Sequence, residues 1–344
     1  MNKQLKKPEL FSGIITRDKK MLEIFQYIES IAGTGQPVLI TGETGAGKDL
    51  IARAIHSTSR LSGRFVSVNV AGLDDSMFSD TLFGHARGAF TGAETERKGL
   101  LEQTKDGTLF LDEIGDLGPS SQVKLLRLLQ EGEYLPLGRD KVRKTNARII
   151  SATNRNLWPL QRSGQFRPDL NFRLRTHHIN IPPLRERICD IPLLVDHFLD
   201  ETAKTLDRQR PKIEKGLIPL FERFSFPGNL RELKGMLFDA TARSRANNLG
   251  PQDFEAYITA VERERKWDQA LGDPAQTESN RITFPKKIPT IKETTQQLVE
   301  ESMRRANGVK SVAAQMLGIS RQALSKRLIK QANLTQTQNR SPKP

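Results

Sequence analysis

The residues Gly42-Glu43-Thr44-Gly45-Ala46-Gly47-Lys48-Asp49 lie between an apolar run, PVLIT (37–41), and the amphipathic stretch KDLIARAIHSTS. A glycine-rich turn of spacing G-x-x-x-x-G-K, placed between a strand and a helix, is the arrangement that cradles phosphate. The glycines let backbone N–H groups approach the anion, and the helix N-terminus adds a favourable field. Lys48 is expected to reach the β- and γ-phosphates of ATP. The general pattern ends on Ser or Thr as a Mg²⁺ ligand, whereas this chain has Asp49. That carboxylate acts on the metal directly or through water, and the residue types alone leave both routes open.

A second group completes the chemistry. Thr108-Leu109-Phe110-Leu111 reads as a strand that ends in two carboxylates, Asp112 and Glu113. Asp112 is expected to hold Mg²⁺, and Glu113 to polarise the attacking water in ATP hydrolysis. A third stretch, Gly88-Ala89-Phe90-Thr91-Gly92-Ala93, sets one aromatic ring between two glycines. Glycine is unfavourable inside helices and strands, so this reads as a loop with Phe90 at its tip.

These groups need a scaffold. Strand candidates are PVLIT (37–41), FVSVNV (65–70), TLFLDE (108–113), ARIISATN (147–154) and HHINIP (177–182). Helical periodicity between them appears in DKKMLEIFQYIESIA, KDLIARAIHSTS and SSQVKLLRLLQEG. The alternation predicts an α/β fold, a parallel sheet with helices on both faces. We expect a tail at 1–12, an α/β subdomain at 13–183, an all-helical subdomain at 184–258, a polar linker at 259–289, a helical domain at 290–334 and a tail at 335–344.

Composition narrows the class. The chain has 344 residues, 36% hydrophobic and 27% charged, with a formal net charge of +14. Residues 281–344 carry 13 Lys and Arg against 3 Asp and Glu, an excess of +10, and the other 280 residues carry +4. A basic segment with helical patterning points to nucleic acid. Within it, SVAAQMLGISRQALSKRLIKQ (311–331) places Val312, Ala313, Met316 and Leu317 on one helical face, a turn at Gly318, and Ser320 as N-cap of a second helix. Leu324 and Leu328 pack at i and i+4. Arg321, Gln322, Ser325, Lys326 and Arg327, with Ser320, face outward to reach bases and phosphates. An amphipathic helix over about 291–306 completes a small bundle.

Other classes are set aside. Cys189 is the one cysteine, so no intramolecular disulfide forms, which fits a reducing cytoplasm; it reads as a structural thiol. The five histidines lack metal spacing, and the adjacent His177 and His178 point to opposite faces of a strand. The N-terminus has no apolar core for a signal peptide, and no apolar run spans a membrane.

The motifs GETGAGKD, LFGHARGAFTGA, GTLFLDEIGDL, ATNRNL, FRPDLNFRL, PPLRER and FPGNLREL, in this order over roughly 13–245, resemble the AAA+ bacterial enhancer-binding proteins that activate sigma-54 RNA polymerase. GAFTGA is close to diagnostic of them. In that family the position of Asp49 is usually Glu. The resemblance implies that Asn69 restrains Glu113 until the site is engaged, and that Thr153 and Asn154 form a first sensor of the γ-phosphate. It makes Arg231 a second sensor and Arg167 and Arg173 arginine fingers that enter a neighbour's site, although spacing alone does not select two of the arginines in QFRPDLNFRLR. It also implies that Gly88–Ala93 contacts the sigma factor, that subunits form a hexamer or heptamer ring, with dimers as a route to it, and that 290–334 is a Fis-type helix-turn-helix on enhancer DNA.

On this reading the chain is a cytoplasmic activator whose ATPase ring moves the GAFTGA loop against sigma-54, taking the polymerase from closed to open promoter complex. No receiver or ligand-sensing domain fits before residue 13, which leaves two readings open: a separate regulatory protein acting in trans, or a sequence that is a fragment of a longer chain. Two rivals remain. One is a DNA-binding regulator whose AAA+ domain only oligomerises; the intact GAFTGA argues against it. The other is a general AAA+ remodeller; the helix-turn-helix argues against that.

Overall fold

The computed structural model describes residues 5–244, 248–271, 290–306 and 308–328. It falls into two compact units, Met1–Ala256 and Tyr257–Pro344.

The first unit is built on five parallel strands: β1 (Val38–Thr41), β2 (Phe65–Asn69), β3 (Thr108–Asp112), β4 (Arg148–Thr153) and β5 (His177–Asn180). Their spatial order is β2-β3-β4-β1-β5. All five expected strands form, each slightly shorter than its apolar run. Alternation along β1 feeds two cores, as a strand's period of two requires. Val38 and Ile40 join Phe25, Ile28, Ile51 and Ile55 under helices Lys19–Ile31 and Lys48–Thr58. Leu39 joins Phe78, Leu82, Leu125 and Leu129 under helices Asp75–Phe83 and Pro119–Glu131. Covered on both faces, β3 and β4 are buried almost throughout, their polar residues Thr108, Arg148, Ser151 and Thr153 included.

Three expectations change. Residues 5–12 are not a free tail: Pro8–Phe11 form a 3-10 turn, and the buried Phe11 ring stacks on Phe25 at 4.4 Å. The stretch from 184 holds helices Ile191–Thr205, Leu217–Arg223 and Asn229–Arg243, but also a two-residue parallel pair, Lys212–Ile213 with Asn248–Leu249. The linker expected from 259 instead continues a helix, Gln252–Leu271. Phe254 and Ile258 bury one side of its start, whereas residues 262–265 are fully on the surface. Glu and Arg are good helix formers, so the helix persists without an apolar face to announce it. Residues 272–289 lie outside the described residues.

The second unit contains helices Ile291–Arg305 and Lys310–Met316 and a helix over 321–328. A capping box between Thr290 and Glu293 starts the first. Ser320 Oγ accepts from Ala323 N–H at 3.2 Å at the start of the last. Val299, Ala306, Ala313, Ala314 and Leu324 form the core, with Val312, Leu317 and Leu328 at its edge. The short side chains of Ala313 and Ala314 let the helices close on one another, so they are buried more deeply than the larger Val312 and Met316. Arg321, Gln322, Lys326 and Arg327 are exposed, and Ser325 is half-buried. Residues 329–344, with the expected C-terminal tail, lie outside the described residues.

Candidate active site and exposed loop

The phosphate loop leaves β1 and enters helix Lys48–Thr58, whose N-cap Gly47 offers no side chain to its first-turn N–H groups. Those donors are open to an anion, as a triphosphate site needs. Lys48 is only 7% exposed; its ammonium donates to the carbonyls of Gly42 at 3.1 Å and Glu43 at 3.3 Å. Glu113 Oε1 lies 3.9 Å from the same Nζ. Asp112 and Glu113 stand at the end of β3, next to β4 on one side and β2 on the other. Glu113 adopts a left-handed φ of 57°. That conformation is strained for a non-glycine residue and is tolerated where surrounding structure enforces it.

The expected sensor residues of β4 meet this group. Thr153 is fully buried, and its carbonyl accepts from Gly42 N–H at 3.4 Å. Asn154 N–H donates to Glu113 Oε2 at 3.2 Å, and Asn154 Nδ2 to Thr44 Oγ1 at 2.9 Å. Asn69 pairs in register with Asp112, but its Oδ1 accepts from Ala71 N–H at 2.8 Å, so its side chain closes the turn after β2. Asp49 is exposed on the first turn of its helix. Among the described residues no cluster of three or more His, Cys, Asp or Glu could hold a metal alone. Asp112 with Asp49 suits a Mg²⁺ that keeps several waters and takes phosphate oxygens.

Arg231 sits on the first turn of helix Asn229–Arg243 beside the phosphate loop: a Cβ built on Gly45 would come within 3.0 Å of Arg231 Cβ and 2.2 Å of Gly228 carbonyl O. Glycine at 45 is therefore what admits the lid backbone. The two expected fingers bond elsewhere within the chain. Arg167 forms a bidentate pair with Asp169 at 3.0 and 2.7 Å, and Arg173 donates twice to the Leu129 carbonyl at 3.1 and 2.9 Å.

Two residues unassigned in the sequence hold the site together. Asn229 is 0% exposed with φ 53°. Its Nδ2 donates to Glu43 Oε2 and Thr44 carbonyl O, each at 3.1 Å, and its Oδ1 accepts from Leu184 N–H at 2.8 Å. Arg185 grips Glu43 with bonds of 2.7 and 2.6 Å. The turn Pro227-Gly228-Asn229 before an apolar-periodic helix was the available signal. It reads as an ordinary cap, whereas Gly228 holds the cap position and Asn229 turns inward.

GAFTGA projects from a short hairpin, Gly84–His85 with Arg97–Lys98. Gly88 and Gly92 have φ of 81° and 100°. Gly88 N–H bonds the Ala93 carbonyl at 2.8 Å, and Ala93 N–H bonds the Phe90 carbonyl at 3.0 Å. Phe90 is 46% exposed and meets the His85 ring edge-on at 5.0 Å. His85 is held by the Asp80 carboxylate through Nδ1 and by the Thr95 carbonyl through Nε2, while Arg97 donates to the other Asp80 oxygen at 2.6 Å. Cys189 is exposed, and partial burial of its sulfur together with nearby Asp190 and Asp18 pushes the thiol up.

Known proteins share this layout. Residues 14–180 match the sigma-54 interaction domain, 185–270 the AAA+ ATPase lid domain, and 290–330 the Fis family of bacterial regulatory proteins. The regulatory protein AtoC of Escherichia coli is 39% identical over 316 residues, 92% of this chain and 67% of that protein. The transcriptional regulator NtrC of Azospirillum brasilense is 38% identical over 339 residues, 92% of this chain and 68% of its own length. Among solved structures, NtrX from Brucella abortus in complex with ATP aligns with a TM-score of 0.66 at 30% identity, covering 92% of this chain and 69% of that one. With its strand order, its nucleotide pocket and its helix-turn-helix, the chain belongs to the sigma-54-dependent transcriptional activators, AAA+ ATPases that carry a DNA-binding domain.

Proposed function

We propose that the chain works in the cytoplasm as a hexamer or heptamer ring, assembled through dimers, that hydrolyses ATP to drive sigma-54 RNA polymerase from closed to open promoter complex. The helix-turn-helix tethers the ring to enhancer DNA through Ser320, Arg321, Gln322, Ser325, Lys326 and Arg327. Gly42–Lys48 and Arg231 hold the nucleotide. Glu113 takes the proton of the attacking water, Thr153 and Asn154 sense the γ-phosphate, and Asn69 restrains Glu113 in a state other than this one, in which its carboxamide closes the turn after β2. Asp112, with Asp49 acting directly or through water, would hold a Mg²⁺ that supplies positive charge against the phosphates. Arg167 and Arg173 act in the neighbouring subunit's pocket, where a guanidinium stabilises developing phosphoryl charge.

The observation that carries this reading is GAFTGA itself. The Phe90 ring is 46% exposed on a loop hinged by two left-handed glycines; His85 meets it edge-on from beneath, and the rest of the ring is open to a partner. Phe90 and Thr91 are the contact to sigma-54. The test is Phe90→Ala, assayed for ATP hydrolysis, ring assembly, capture of sigma-54 in ADP–aluminium fluoride and promoter opening. We expect normal hydrolysis and assembly with capture and opening lost. Joint loss of hydrolysis and assembly would make Phe90 a packing residue, and full activation would remove the contact.

A further inference from the structure

Helix Asp75–Phe83 runs straight into Gly84–His85, the first strand of the GAFTGA hairpin. Its own N-terminus is capped by Asp74, which accepts from Ser76 and Met77 N–H at 2.9 and 2.7 Å. Asp75 is thereby free for another task. Its carboxylate accepts from Ser121 N–H at 2.8 Å, from Ser120 N–H at 3.3 Å and from the Ser121 hydroxyl. These backbone groups are first-turn donors of helix Pro119–Glu131, whose N-cap Gly118 cannot satisfy them. A Cβ on Gly118 would fall 2.6 Å from Asp75 Oδ1, so only glycine admits the approach. Burial pushes the Asp75 carboxyl up, but the bonds from Ser121 and Ser120 and the charge of Lys124 outweigh it and hold it below the usual carboxylate range. One turn on, Lys124 Nζ donates to Ser79 Oγ at 2.6 Å. The two helices share one apolar core beneath these bonds.

The capped helix begins shortly after Glu113, and the chain between them has little slack. Asp116 N–H bonds the Glu113 carbonyl at 3.0 Å. Arg155 pins the Gly115 carbonyl at 3.1 Å and the Asp116 carboxylate at 2.7 Å. A displacement of Glu113 therefore reaches the N-terminus of helix Pro119–Glu131 with few soft joints.

We propose that Asp75 is a positioning residue that couples the hydrolysis site to the GAFTGA loop, locking the loop-bearing helix to the segment that follows Glu113. The inference rests on the reading above only in that the loop moves with nucleotide state. It differs from simple helix capping in what it predicts: hydrolysis survives while motion is lost.

The test uses the full chain with Cys189→Ser and a fluorophore on Glu94→Cys beside the motif, read in ADP and in ADP–aluminium fluoride without sigma-54. The label should shift between the two states. Asp75→Ala should cut the shift at least about fivefold, in the range of ordinary inter-site couplings, while nucleotide affinity, assembly and hydrolysis persist. Asp75→Asn keeps an acceptor oxygen and should restore part of the shift. Ser121→Ala removes one of the three donors and should give an intermediate loss; it carries the test if Asp75→Ala does not fold. A full shift in Asp75→Ala and Ser121→Ala overturns the coupling, even where Phe90→Ala upholds the sigma-54 contact. Parallel loss of shift and hydrolysis also overturns it, since a purely structural cap would do that. Normal sigma-54 capture by Phe90→Ala would instead overturn the contact and leave the label result standing.

Discussion

The phosphate loop and the GAFTGA loop are both short and glycine-rich, the first leaving the five-stranded sheet and the second a separate two-stranded hairpin, yet they use glycine for different ends. At Gly45 any side chain would strike the Gly228 carbonyl at 2.2 Å, so glycine there serves close packing. At Gly88 and Gly92 a Cβ would meet nothing within 4 Å, so glycine there serves only the left-handed backbone. The first loop is clamped from below by Lys48 and from the lid by Asn229 and Arg185. The second is tied mainly by backbone bonds across its neck and by His85 beneath one ring. A pocket that must present donors at fixed positions gains from rigidity. A loop that must change shape and meet a partner gains from few enthalpic ties.

The largest expected effect lies in the rigid region. Glu113→Gln should lower hydrolysis by roughly 10²-fold or more, the usual scale for losing a general base. ATP should still bind, because Lys48 and the loop amides are untouched, and equilibrium titration beside single-turnover kinetics separates the two. Normal turnover would remove Glu113 as the base.

Next comes the glycine contrast itself. Gly45→Ala should abolish tight nucleotide binding, since the new methyl forces the lid backbone away. Gly88→Ala should leave nucleotide affinity unchanged and lower thermal stability by only about 1 kcal/mol, the strain of a left-handed residue. If Gly88→Ala also disrupts nucleotide binding, the two loops are not mechanically distinct in this way.

Asn229→Ala should have a smaller effect on the same pocket. It leaves the buried Leu184 N–H without its partner, and an unsatisfied buried group costs about 1–3 kcal/mol. We expect weaker ATP binding with turnover at saturation largely kept. Hydrogen exchange at Leu184 and at the start of helix Asn229–Arg243 should rise. Unchanged exchange there would show that Asn229 does not latch the lid.

The smallest effect concerns the sheet and the helix packed on it. His56, His177 and His178 all titrate below the usual histidine range, with burial the first cause in each; Arg148 adds to it at His177 and Arg175 at His178. A depressed value means the fold prefers the neutral ring. Stability is therefore full above the ordinary value near 6.5 and declines as pH falls through it toward the folded value. Residues 290–328 contain no histidine. Between about pH 7 and about pH 5.5 the ATPase unit should lose thermal stability, while any loss in the C-terminal helices from this cause should be absent. Equal losses in both units would exclude these histidines as the source.

What could be read without a structure was whatever lies close together along the chain. Lys48 follows its glycines by a fixed offset, Asp112 and Glu113 end their own apolar strand, and Ser320 precedes the helix it caps. Strand periodicity and cap chemistry act over a few residues, so sequence alone determined the five strands, the nucleotide pocket's main groups and the C-terminal helices. Tertiary structure decided what depends on distant partners. Asn229 reaches Glu43 across 186 positions, Asp75 caps a helix 46 positions on, and Phe11 turns a nominal tail into core by stacking on Phe25. It also decided that Asn69 closes its own turn in this state rather than touching Glu113, because a carboxamide at a strand end can serve either partner and only the packed geometry selects between them.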